Sequence, residues 1–214
     1  MKNVTIDIVS DVVCPWCIIG YKRLELALEQ LQGEIQADVQ FHPFELNPNM
    51  PAGGQNLGEH LAEKYGTTPQ ASAETRDMIT KVGQELGFTF NFTDEMRMYN
   101  TRKAHQLLLW AKDFGKQKEL KLALFDAYFT NNRAVEDEQV LLEIAQSIEL
   151  DGAQAHNVMS EESWAHEVEA IEHQWMNAGI QGVPAYIINQ KHLITGAQEP
   201  ATLAQAIREI SELD

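Results

Sequence analysis

Cysteine is nearly absent from this chain. Only Cys14 and Cys17, three positions apart, occur among 214 residues, so no network of disulfides staples the fold. None is needed at this length, which suffices to bury a core as one domain or one domain carrying a large insertion. Positive charge is also scarce. Sixteen Lys and Arg stand against 32 Asp and Glu, for a formal net charge of −16. Phosphate contacts require Lys and Arg, so this balance argues against nucleic acid and against anionic membranes as partners. The acidity serves solubility. No apolar run is long enough to span a bilayer. The opening MKNVTIDIVSDVV does not read as a signal peptide, because Asp7 and Asp11 interrupt its apolar run and no small-residue cleavage site follows. The expected compartment is the cytoplasm, where a cysteine pair is more often catalytic or metal-binding than structural.

What is present has a clear order. VTIDIVS, residues 4 to 10, alternates Val4, Ile6 and Ile8 and predicts a strand. CPWC follows, then a helical pattern through Ile18, Ile19, Leu24 and Leu28 to about Gly33. Residues 37 to 46 (ADVQFHPFEL) predict a second strand, which completes a βαβ unit with the cysteines at its strand-to-helix junction. From residue 48 to 178 the chain is loop-like, then mostly helical. Thr68-Pro69 opens one helix, Asn100 or Thr101 caps another, and Ser160 and Gly179 bracket the last. Residues 88 to 99 are expected to be extended or irregular, with Phe88, Phe90, Phe92, Met96 and Met98 packing into the core. VPAYIIN and HLITG then read as two short strands around Asn189-Gln190-Lys191, and a closing helix starts at Pro200. The expected organisation is α/β, with residues 1–47 and 179–214 forming the two parts of a thioredoxin-type unit and 48–178 an all-helical insertion.

The cysteine spacing carries the chemistry. With Cys14 at the start of a helix, the positive end of the helix and the free first-turn N–H groups of Trp16 and Cys17 favour its thiolate. Pro15 has no N–H, but its fixed φ suits the first turn. Cys17 lies one turn further on, roughly 5 Å away at Cα, within reach of a reversible disulfide. Cys14 is then the attacking thiol and Cys17 the resolving one. Trp16 offers substrates an apolar surface. A zinc site would need two more ligands, and the seven histidines show no close ligand spacing. Covalent haem attachment needs a histidine where Ile18 stands. Iron–sulfur ligation lacks cysteines, and a structural disulfide closing so short a loop would add little. No metal is expected.

SDVVCPWCIIG, FELNP, NTRKAH and GIQGVPAYIINQKHLITGAQEP together resemble the DsbA family of thiol–disulfide oxidoreductases, and within it the cytoplasmic FrnE-like branch. The resemblance runs along nearly the whole chain. It implies a thioredoxin fold (DsbA-type) interrupted by a helical insertion. It also implies that Pro184 is cis and faces the cysteines, with the Val183 backbone available to an extended substrate. Without the resemblance, Pro184 reads as an ordinary trans proline opening an edge strand. Asn47 of FELNP, Asn100 and His105 join the candidate cleft residues, although a helical histidine more often faces solvent. Asp7 could accept the Cys17 proton, against the plainer reading of a surface-facing or locally paired carboxylate.

Three functions compete. The first is exchange of protein or small-molecule disulfides through Cys14 and Cys17, with disulfide isomerisation included, no tightly bound cofactor, and glutathione as a thiol partner. The second is glutathione-dependent isomerisation or transfer on a small organic molecule. The related 2-hydroxychromene-2-carboxylate isomerases and kappa-class glutathione transferases carry out such chemistry, as would a polyketide-pathway enzyme. Those enzymes usually have Ser where this chain has Cys14; in this reading Val183 and the Gly196-Ala197-Gln198 turn hold the glutathione. The third is a non-catalytic binding module. Oligomeric state is open.

Overall fold

The computed structural model describes residues 1–213. Strand β1 (Lys2–Ser10), helix α1 (Pro15–Gln30) and strand β2 (Ile35–Pro43) form the βαβ unit, with β1 and β2 parallel in the register Ile6↔Val39 and Ile8↔Phe41. Parallel neighbours need a crossover, and α1 supplies it. Strands β3 (Gln55–Asn56) and β4 (Arg97–Met98) make a small separate ladder around helices α2 (Leu57–Tyr65) and α3 (Pro69–Glu85). Helices α4 (Arg102–Lys112), α5 (Gln117–Phe125), α6 (Glu138–Ser147), α7 (Gly152–Ser160) and α8 (Glu162–Asn177) follow, with a π-helical turn at Asp126–Thr130 after α5. Strands β5 (Ala185–Ile188) and β6 (His192–Thr195) and helix α9 (Pro200–Leu213) close the chain. The main sheet runs β2-β1-β5-β6, antiparallel beyond β1.

The two faces of the sheet are covered differently. Side chains alternate along β1. Ile6 and Ile8 join Tyr186, Ile188, α1, α9 and the insertion in one large core. Val9, Ala185, Ile187 and Ile180 form a smaller cluster with Trp175 of α8 on the other face. The insertion therefore shares the sheet's core.

Several local expectations meet the structure directly. The Thr68 hydroxyl accepts the Ala71 N–H and caps α3. Asn189 and Gln190 have positive φ (52° and 58°), as both central residues of a type I′ turn require, and the Lys191 N–H closes that turn on the Ile188 carbonyl. Phe90, Met96 and Met98 are buried. Others differ. Thr101 precedes α4 without a side-chain cap, while the Asn100 Oδ1 accepts the Arg102 N–H. Ser160 ends α7 rather than capping α8, because its hydroxyl already donates to the His156 carbonyl. Two-residue ladders such as β3–β4 are too short to leave a periodic signal.

Gly20 sets how closely α1 approaches β5. A Cβ there would lie 2.2 Å from the Tyr186 hydroxyl oxygen and 3.1 Å from Pro184 Cγ. Gly20→Ala is expected to lower the unfolding free energy by about 1–3 kcal/mol through overpacking, despite alanine's better helix propensity. Adding Tyr186→Phe, which removes the obstructing oxygen, should recover most of the loss. Urea unfolding of the single and double variants measures this; an unchanged midpoint for Gly20→Ala means the helix has room to shift.

Candidate active site

After β1 the chain turns through residues 11 to 13 into α1. Cys14 is the N-cap residue with extended backbone angles (φ −94°, ψ 114°), and Pro15 takes the first turn. The Cys17 N–H donates to the Cys14 carbonyl at 3.1 Å. The Cys14 sulfur makes no cap bond to the helix, contrary to the expected donation from Trp16 and Cys17. Its thiol donates instead to the Val183 carbonyl at 3.8 Å. The Val183–Pro184 peptide is cis, and the Pro184 carbonyl accepts the Gly196 N–H at 2.8 Å, which ties this turn to the end of β6. Both thiols are unbridged. Cys17 is only 2% exposed. Burial pushes its thiol well above the ordinary value, and the adjacent Cys14 adds to this; the charge of Lys121 and a backbone hydrogen bond from Asp11 oppose it.

Above the pair lies a cavity of about 460 Å³, within the range of small-molecule sites. Cys14, Pro15, Trp16 and Val183 form one wall; Leu57, Leu61 and Ile79 from α2 and α3 form the other. Phe92, Met98 and Phe129 close the end, Phe129 coming from the π-helical turn. Several polar groups on the walls are used within the protein. The Tyr128 hydroxyl donates to the Arg97 carbonyl, the Thr75 hydroxyl to the Ala71 carbonyl, and His60 Nδ1 pairs with Gln55. The cavity thus presents mainly apolar surface beside the Cys14 sulfur.

Below the pair lies a buried polar layer. Asp11 is fully buried; its Oδ1 accepts the Val12 N–H at 2.7 Å and meets His105 Nε2 at 3.1 Å. Its Oδ2 accepts the Leu46 N–H at 2.8 Å. Burial alone would raise the Asp11 carboxyl, but the hydrogen bond and charge of His105, the Leu46 N–H and the charge of Lys121 outweigh it and hold the carboxyl below its usual value. Lys121 of α5 is 0% exposed. Burial pulls its ammonium down to about 8, against the pull of Cys17, Asp11 and Cys14. Further along, Glu172 accepts the Glu45 N–H and Glu45 pairs with Arg102.

A family model for the DSBA-like thioredoxin domain matches residues 5–208. The chain belongs to this family. Among solved structures it is similar to a probable DsbA oxidoreductase from Streptomyces coelicolor, with 28% identity and a TM-score of 0.89 over 96% of this chain and 89% of that one. It is also similar in fold to the cytosolic disulfide reductase DsbM from Pseudomonas aeruginosa with GSH, at 18% identity and a TM-score of 0.63 over 98% and 96% of the two chains. Uncharacterized protein YwbO of Bacillus subtilis (strain 168) is 26% identical over 206 residues, 96% of each chain. The protein thus has the DsbA-like oxidoreductase fold, with Cys14–Cys17 and Val183–Pro184 brought together at one end of the sheet.

Within this DsbA-like frame the other candidates separate. Asn47 lines the cavity, its Oδ1 held by Lys64 Nζ at 2.7 Å. Asn100 lies outside it and braces the adjoining loop by donating to the Pro48 carbonyl. His105 is neither a cleft residue nor solvent-facing: at 1% exposed it backs the active-site loop through Asp11. Asp7 is not placed to serve Cys17. It shares a sheet face with Val9, away from the α1 side, and pairs with His42 at 2.7 Å, so the locally paired reading holds. Asp11 and Lys121 are the functional candidates that the residue-level reading missed. Asp11 stands three residues before Cys14, and Lys121 falls on the buried face of α5 with Gln117, Leu120, Leu124 and Phe125; that periodicity was a usable signal. Among the described residues no three His, Cys, Asp or Glu side chains converge as a metal site, and no helix is long and apolar enough to cross a membrane.

The buried acids make a pH prediction. Burial, with the neighbouring Glu45 charge, pushes Glu172 up to about 8. The folded chain thus holds this proton more tightly than the unfolded chain, so the associated stability is full below about 4.5 and is lost as pH rises through about 8. Glu172→Gln keeps an oxygen for the Glu45 N–H and cannot ionise. Its stability should match wild type near pH 4 and fall less steeply between about pH 5 and 8. Parallel curves in urea unfolding across that range would show that Glu172 ionises normally.

Proposed function

We propose that the protein is a cytoplasmic thiol–disulfide oxidoreductase acting on protein or small-molecule disulfides, with disulfide isomerisation open to the same pair. One observation carries the reading: Cys14 lies between an open cavity and the Val183 carbonyl of the cis-proline turn, with Cys17 buried one helical turn beneath it. In the first step the Cys14 thiolate attacks a disulfide sulfur; a mixed disulfide forms and one substrate thiolate leaves. Cys17 then attacks Cys14, the Cys14–Cys17 bond forms, and the second substrate thiol is released. The dithiol is oxidised by two electrons and the substrate disulfide is reduced. Reducing surroundings favour this direction, with glutathione or another thiol regenerating the dithiol. The backbone of Val183 offers an extended substrate segment a pairing edge.

The cavity favours keeping a second reading, glutathione-dependent isomerisation or transfer on a small organic molecule. An apolar-lined space suits the body of such a molecule, and the Gly196–Gln198 turn lies beside Pro184. Cys14 supports the first reading over this one, because it supplies a redox-active sulfur.

Insulin reduction with dithiothreitol as the terminal reductant separates the readings. Cys14→Ser should bring the rate down to that of dithiothreitol alone. Cys17→Ala should stall turnover and accumulate a mixed disulfide on Cys14, visible by mass spectrometry as the substrate's added mass. Wild-type turnover no faster than dithiothreitol alone overturns the oxidoreductase reading, and glutathione binding to Cys14→Ser then becomes the next measurement.

A further inference from the structure

Closure of the Cys14–Cys17 bond requires a thiolate from the more buried of the two sulfurs. Cys17 is 2% exposed, and burial together with Cys14 holds its proton on. Something nearby must stabilise the anion. The two carboxylates close to this part of β1 are already committed. Asp11 accepts from the Val12 and Leu46 N–H groups and meets His105, and its carboxyl is held low. Asp7 is paired with His42 away from the cysteine side of the sheet.

Lys121 is the one fully buried lysine or arginine among the described residues. It enters from α5, part of the helical segment between β2 and β5, and reaches the end of β1, where its Nζ lies 3.4 Å from the Ser10 carbonyl. That is a long hydrogen bond, and no carboxylate lies within ion-pair distance of the ammonium among the described residues. The Phe41 ring on β2 and the Phe125 ring on its own helix lie 5.6 Å and 5.2 Å away. For stability alone this is a poor position for an ammonium, since buried charges ordinarily demand a close partner and full hydrogen bonding. The groups whose charge it feels are Cys17 and Cys14 on α1 and Asp11 on the intervening loop; behind Asp11 stand His105 of α4 and Glu45 beyond β2.

We infer that Lys121 is a positioning residue for the resolving step: its buried charge stabilises the Cys17 thiolate, so the helical insertion sets the rate at which the disulfide closes. The inference rests on the disulfide-exchange reading above. In the step concerned, the Cys17 thiolate attacks the Cys14 sulfur of the mixed disulfide. The Cys14–Cys17 bond forms as the bond from Cys14 to the substrate sulfur breaks, and the proton that Cys17 gives up ends on the departing thiolate. Coupling is reciprocal: a cation that favours the thiolate is itself favoured by it.

The test uses 5,5′-dithiobis(2-nitrobenzoate) as the disulfide, because each half-reaction releases one coloured thiolate. The first phase reports attack by Cys14, and the second reports closure by Cys17. Lys121→Met keeps the length and apolar stem of the side chain without its charge. It should leave the first phase within about twofold, slow the second at least tenfold near pH 7, and move the pH profile of the second to higher pH by about one unit, a tenfold change in thiolate per unit. A second phase with unchanged rate and pH profile overturns the inference. Wild-type protein that releases thiolate no faster than the denatured chain overturns instead the exchange reading on which the inference rests. A second measurement needs no substitution. Lysine-selective NMR of wild type should show Lys121 titrating at lower pH in the oxidised protein than in the reduced protein, because oxidation removes the anion. An identical titration in both forms counts against the inference.

Discussion

The buried carboxylate of Asp11 is the constraint on which the site depends. One side chain satisfies the Val12 N–H of the active-site loop, the Leu46 N–H after β2, and His105 of α4. These groups come from three separate stretches of chain, and each would be costly to bury without a partner. With them joined, the loop before Cys14 has one position relative to both the sheet and the insertion. Cys14 can then cap α1 and reach the Val183 carbonyl, while Cys17 stays beneath.

The helical insertion therefore does two physical jobs on opposite sides of the cysteines. On the cavity side, α2 and α3 bring Leu57, Leu61 and Ile79 over Cys14 and Trp16, which makes an apolar space from what would otherwise be an open helix end. On the buried side, α4 and α5 bring His105 and Lys121 beneath the loop. The continuous core beneath both, from Ile6 and Ile8 through Leu107, Leu124 and Phe129, lets the insertion act on the site without a hinge between them.

Much of this was legible along the chain because the governing signals are local. Alternating Val4, Ile6 and Ile8 marks β1, and the Thr68-Pro69 pair marks the start of α3. The two cysteines at a strand-to-helix junction mark the candidate site. His105 was harder. Its environment is set by Asp11, 94 residues earlier, and no local rule separates a solvent-facing histidine from one buried against a distant carboxylate. Asp7 shows the same difficulty from the other side. Its position in an apolar strand gives burial, but only the sheet's pairing puts His42 within reach of it.

By itself the sequence determined the order of the main-sheet strands, the helical interruption between them, and the cysteine pair at the start of the first helix. These follow from short-range periodicity and from the fixed geometry of a helix start. Only the tertiary structure decided that Val183 faces Cys14, that α2 and α3 enclose a cavity, and that Lys121 rather than Asp7 lies near Cys17. Those are contacts between segments more than 40 residues apart, selected by how the sheet and the insertion helices pack together. No window along the chain contains both partners.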